Sequence, residues 1–237
     1  MAVITLLTRH PSTARFVSTK LVRRFVADDP PPALVDRVAK VFRDTDGDIR
    51  ALLVTIFGSP EFMAAEAYQA KTKTPLEVVA SGVRALAGQI EAPAPPGGPV
   101  RGGLVLARQV ARLGAPLYEA QPPTGYPDVA GAWVNTGALL ARMNFALALS
   151  QNRLPGVRVD LAGSLGAVDR ARPAAVLDRI IAVVLHGDVS PKTREVLRAQ
   201  LDSPEIERAT ADARGPRNTD VEKLAALVLG SPEFQRR

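Results

Sequence analysis

Two stretches of the chain gather residues able to bind or react. In Lys71-Thr72-Lys73-Thr74-Pro75-Leu76-Glu77, two lysines stand just ahead of a proline suited to the first turn of a helix. Free backbone N–H groups and the dipole at a helix start favour anions, so the lysine pair reads as a candidate anion site. Further on, Gln121 to Asn144 brings Tyr126, Asp128, Trp133, Asn135, Arg142 and Asn144 close together in sequence. If Asp128 caps a long helix running through Trp133, Leu140, Phe145 and Leu149, then Asp128, Asn135 and Arg142 fall at steps of seven and share one face. Plainer roles compete and are favoured: Asp128 as a cap, Trp133 as core, Asn135 and Arg142 as hydrogen bonders to nearby loops. The candidate binding residues are therefore Lys71, Lys73, Tyr126, Asp128, Trp133, Asn135, Arg142 and Asn144.

His10 and His186 are the only side chains that ordinarily titrate near neutrality. Neither has a neighbouring pattern that would orient it as a general base. His186 precedes Gly187 where a helix should end, and His10 precedes Pro11 where one should begin, so structural roles are favoured for both. Asp44-Thr45-Asp46-Gly47-Asp48 looks like a calcium loop, but its spacing fails. With Asp44, Asp46 and Asp48 as the first three ligands, the required glycine falls at Ile49. A capped turn is the better reading. The chain has no phosphate-binding loop, nucleophile elbow, zinc-helix motif or dinucleotide fingerprint, and nothing in it calls for a cofactor or a metal. It also has no cysteine, which removes disulfides, thiolate metal sites and cysteine nucleophiles.

The elements that must position these residues are helical. The 237 residues are 46% hydrophobic and 23% charged, an ordinary globular balance, yet only 5% aromatic. A core of Leu, Val and Ala without alternating β-branched runs favours packed helices over a sheet. The formal charge of +6 and pI near 10.0 would suit an anionic partner, but the arginines are spread along the chain, so nucleic acid is disfavoured. No apolar run reaches the roughly 18 residues of a membrane span; the best, Leu139 to Leu149, is broken by Arg142 and Asn144. Met1 to Leu7 lacks the basic segment and cleavage site of a signal peptide and looks like the end of a helix. Compartment is left open.

The pentapeptide Gly58-Ser59-Pro60-Glu61-Phe62 returns as Gly230-Ser231-Pro232-Glu233-Phe234. Each copy ends an apolar helix that follows an aspartate, Asp48 or Asp220. Leu52, Ile56 and Phe57 correspond to Leu224, Val228 and Leu229. Serine caps, proline fits the first helical position, glutamate meets the dipole, and glycine can close the preceding helix at positive φ. The motif thus predicts a helix–glycine–helix corner with Phe62 or Phe234 turned inward, and Ser203-Pro204-Glu205-Ile206 is a partial third copy. Further helices are expected over His10–Ala27 (stripe Phe16, Leu21, Phe25 with Val17 and Val22), Ala33–Arg43, Pro75–Gln89 (stripe Leu76, Val79, Val83, Leu86), Leu104–Leu113, Pro173–Leu185 and Thr193–Leu201. The expected fold is all-α, about ten helices in an irregular array. It divides into an N-terminal helical subdomain over 1–90, a Pro/Gly-rich linker over 91–103 and a C-terminal helical subdomain over 104–237, or forms one continuous domain.

Several of these segments carry a resemblance. His10 to Phe16, Asp44 to Phe62, Lys71 to Glu77, Pro122 to Leu149 and Leu229 to Arg237 resemble, in order, the domain of unknown function 1800 family of bacterial proteins. The resemblance is to the C-terminal half of the family's usual pattern, with the N-terminal half missing. It implies an all-helical fold, frequent export among relatives, and no catalytic residues to carry over. The leading expectation is a non-catalytic helical interaction or scaffold module. Its partners would be another protein or the missing N-terminal half. The alternatives are a hydrolase-like enzyme whose site that half completes, or an anion- or nucleic-acid-binding module.

Overall fold

The structure, a computed structural model, describes residues 2–92, 102–169, 172–201 and 220–237. The described residues form thirteen α-helices. Two short strands, β1 (Gln89–Ile90) and β2 (Val157–Arg158), pair antiparallel with Ile90 opposite Val157, a contact the sequence did not suggest. The chain is all-α. No helix among the described residues is long and apolar enough to cross a membrane. The expected partial corner at Ser203 and most of the Pro/Gly-rich segment lie outside the described residues. The chain divides into two compact units, each discontinuous in sequence.

The first unit comprises residues 1–72, 127–132 and 237. It holds α1 (Ala2–Thr8), α2 (Pro11–Phe25), α3 (Pro32–Asp44), α4 (Ile49–Phe57) and α5 (Pro60–Met63). Helix α2 starts where His10 Nδ1 accepts from the Ser12 N–H at 3.2 Å. Its buried stripe runs through Ala14, Ser18 and Val22; of the expected residues Val22 is buried and Val17, Leu21 and Phe25 are half-buried. Phe16 faces outward, its ring under the Lys20 ammonium. Val22, Val26, Leu34, Val38, Leu52 and Ile56 close the core. Asp44, Asp46 and Asp48 do not converge: Asp44 pairs with Lys40, Asp46 with Arg9, and Asp48 caps α4. The capped turn is what forms.

The second unit comprises residues 73–126 and 133–236. It holds α6 (Pro75–Ala85), α7 (Gly102–Arg112), α8 (Thr136–Ser150), α9 (Leu161–Leu165), α10 (Pro173–Leu185), α11 (Pro191–Leu201), α12 (Val221–Leu229) and α13 (Pro232–Gln235). Helix α8 packs along α12, and α12 along α10, burying Phe145, Leu149, Ile180, Ile181, Leu224 and Val228. Leu76 faces solvent, since the buried side of α6 is set by Val78, Val79, Gly82 and Val83. His186 ends α10 by taking the left-handed conformation itself, φ 54°, and Gly187 follows at 84°.

Each unit carries one copy of the repeated corner. Ser59 accepts from the Phe62 N–H at 3.2 Å and Ser231 from the Phe234 N–H at 3.4 Å. Leu52, Ile56, Leu224 and Val228 are all wholly buried, as the correspondence predicts. The expectation of positive φ does not hold: Gly58 sits at −84° and Gly230 at −80°. Space explains the glycines better. A Cβ at Gly58 would stand 3.1 Å from the Val54 carbonyl oxygen, and one at Gly230 would overlap the Met143 sulfur.

Candidate functional site

The expected long helix from Asp128 does not form. Helix α8 begins at Thr136, and Asn135 is its cap, accepting from the Ala138 N–H at 2.9 Å. Asp128, Asn135 and Arg142 therefore share no helix face. A single 3₁₀ turn, Ala130–Ala132, lies in between. The physical reason is that both Asp128 and Asn135 suit a cap, and the Asp128 carboxylate is engaged elsewhere.

That engagement centres on Lys71 in the first unit. Its ammonium is almost fully buried; it pairs with the Asp28 carboxylate, donates to the Asp128 carbonyl at 2.7 Å and lies 3.5 Å from the Asp128 carboxylate. Arg24 and Arg237 approach the same Asp128 oxygen at 3.6 and 3.5 Å. The other oxygen of Asp28 accepts from the Ala130 N–H at 2.5 Å. Burial alone would raise the Asp28 carboxyl, but the Ala130 N–H, Lys71 and Arg23 outweigh it and hold it below its ordinary range. The last residue is fastened too: Arg237 N–H donates to the Lys71 carbonyl at 2.8 Å, and Lys71 N–H returns to Arg237 at 3.2 Å. With both its charge and its backbone committed, Lys71 is a clamp and offers an incoming anion little.

Lys73, Arg142, Tyr126, Trp133 and Asn144 lie in the second unit. The Arg142 guanidinium is buried and donates to Gln235 Oε1 at 2.7 Å and to the Lys73 carbonyl at 2.8 Å. Burial lowers its pKa. The Lys73 ammonium stands 3.9 Å above the Phe234 ring. Burial brings its pKa down to about 8, against an opposing pull from Glu77. A ring face also favours the cation. Glu77 Oε2 accepts from the Thr74 N–H and hydroxyl at 2.8 and 3.0 Å, which fixes the start of α6. Trp133 is core, edge-on to Tyr126, whose hydroxyl donates to the Pro116 carbonyl at 2.8 Å.

Asn144 lines an open cleft, about 540 Å³ in volume, to which no other candidate contributes. One wall is the face of α7 that carries Val105, Arg108 and Arg112; the other is the α8 face that carries Asn144 and Phe145; the loop at Arg153–Pro155 ends it. The arginines here were not singled out from sequence. Arg108 and Arg112, four apart on a predicted helix, were a signal available there; Arg153 reaches them only through the fold. No cluster of three or more His, Asp or Glu side chains able to hold a metal occurs among the described residues.

Comparison with known proteins gives one positive result: the family profile described as "Protein of unknown function (DUF1800)" matches residues 1–236. No curated protein and no solved structure matches the chain.

Proposed function

The chain belongs to the DUF1800 family of proteins of unknown function, and from that premise we propose that it is a non-catalytic helical interaction module. One observation carries the reading. Helix α1 buries none of its residues, and Val3, Ile4, Leu6 and Leu7 are 60–69% exposed. A seven-residue helix is marginal in water, and a contiguous apolar surface of this kind marks a contact site. The partner is a helical polypeptide, another protein or further chain of the same family, that covers this face. The commitments of Lys71, Asp128 and Arg142 to their own neighbours support a structural role for the residues that first suggested chemistry. As a test, purified chain should bind the apolar dye anilinonaphthalene sulfonate, and replacing Ile4 and Leu7 together by Glu should remove most of that signal. Turnover of model ester, phosphate or glycoside substrates by the purified chain would overturn the reading.

A second reading, an enzyme completed by further chain, is favoured only by Lys73, whose half-buried amine with a pKa near 8 is a better nucleophile than an ordinary lysine.

A further inference from the structure

The cleft between α7 and α8 combines an apolar floor with a cationic rim. Val105, Leu113, Phe145 and Leu154 are buried at its base. Arg108, Arg112 and Arg153 stand exposed around it, and none of the three forms an ion pair among the described residues. Some arginines elsewhere are matched, as Arg15 is by Asp36, Arg37 by Glu61 and Arg194 by Asp178, while Arg43, Arg50 and Arg84 form no ion pair among the described residues either; the cleft gathers three unmatched guanidinium groups around one apolar floor. Arg112 also lies in the last turn of α7, where a cation suits the helix dipole; that accounts for one of the three only.

We propose that this cleft binds a small molecule with an oxyanion head and an apolar body. The volume lies in the range of small-molecule sites, which are apolar with a few placed polar groups. Guanidinium forks match carboxylate and phosphate geometry in two-pronged fashion, and Gln109 and Asn144 add neutral donors beside them. The apolar floor separates this site from one for a bare anion, which would gain nothing from Phe145 and Leu154. It equally separates it from an apolar groove, whose rim would need no unmatched charge. The proposal goes beyond the interaction reading, since the cleft lies in the second unit and α1 in the first.

The test is a titration of the full chain, followed by backbone amide shifts, with octyl phosphate, octanoate, octanol and inorganic phosphate below any micelle concentration. Octyl phosphate or octanoate should bind saturably, with shifts centred on residues 105–113 and 141–148. Octyl phosphate binding more tightly than octanoate identifies a phosphomonoester head, and the reverse order a carboxylate. Octanol and inorganic phosphate should bind at least about tenfold more weakly, and Arg108→Gln and Arg112→Gln should each weaken the amphiphile by about tenfold, the scale of a lost charge-assisted hydrogen bond. Both arginines are exposed, so neither change threatens the fold. Octanol binding as tightly as octyl phosphate, inorganic phosphate binding as tightly as either amphiphile, unchanged affinity in both variants, or no saturable binding would each overturn the proposal.

Discussion

Lys71 donates to the main-chain carbonyl of Asp128 at 2.7 Å although 57 residues separate them in sequence. With Asp28 on the same ammonium, this one buried cation holds segment 127–132 to the core of the first unit. Removing it leaves two neighbouring carboxylates, Asp28 offset by Arg23 and Asp128 by Arg24 and Arg237. Lys71→Met should cost about 2–4 kcal/mol, below the full penalty for breaking a buried pair because both carboxylates keep some solvent. Urea denaturation gives the number. A loss under about 1 kcal/mol would mean that the arginines already neutralise the site.

The two corner phenylalanines are predicted to differ. Phe234 is 4% exposed beneath the Lys73 ammonium, whereas Phe62 is half-buried at the end of an edge-to-face series with Phe57 and Phe25. Phe234→Ala should cost about 3–5 kcal/mol, the range for a core ring. Phe62→Ala should cost about 1–2 kcal/mol, since much of its ring already meets water. Equal losses in guanidinium denaturation would contradict the difference in burial.

The corners show how far the sequence was legible. Local features came through: Asp48, Ser59, Ser190 and Ser231 each start a helix by accepting from an N–H two or three residues on, which spacing alone reveals. What failed depends on distant partners. Whether Asp128 or Asn135 caps the helix before Phe145 is decided in part by Lys71, which no local pattern connects to Asp128. The outward turn of Phe16 and Leu76 has the same origin: apolar periodicity marks a stripe, but the neighbouring helices choose its edge. Of the site candidates, Asn144 reached a cleft because Arg108, Arg112 and Arg153 gather there, and the last of these comes from a loop after α8.

Two groups tie stability to pH in opposite windows. Asp28 is held below its ordinary 3.8, so its stabilisation is complete above that value and is lost as pH falls through the folded-state pKa. Lys73 is lowered from 10.5 to about 8. Between those values the unfolded chain keeps the proton and the fold does not, so stability rises with pH across about 8 to 10.5. Lys73→Met, which keeps most of the packing, should lose this rise, and Asp28→Asn should lose the acid-side dependence. Urea midpoints of wild type minus variant isolate each group from the others that titrate in the same range. A Lys73 difference that is flat above pH 8 would show that the ring of Phe234 holds the amine charged.

Gly230 and Gly58 occupy equivalent corners with nearly equal backbone angles, so alanine is free of φ strain at both. Alanine in place of glycine at a compatible position gains about 0.4–1 kcal/mol from the unfolded chain. At Gly58 the new methyl meets only the Val54 carbonyl at 3.1 Å, and Gly58→Ala should stay within about 0.5 kcal/mol of wild type. At Gly230 it would overlap the Met143 sulfur and come within 3.0 Å of the Met143 methyl. Met143 is flexible but half-buried, so Gly230→Ala should cost about 1–2 kcal/mol of overpacking. Shortening the obstacle is the decisive control. In a double-mutant cycle, Met143→Ala should relieve at least about 0.5 kcal/mol of the Gly230→Ala penalty. Strict additivity of the two changes would show that glycine is required at the second corner for something other than the room that Met143 takes.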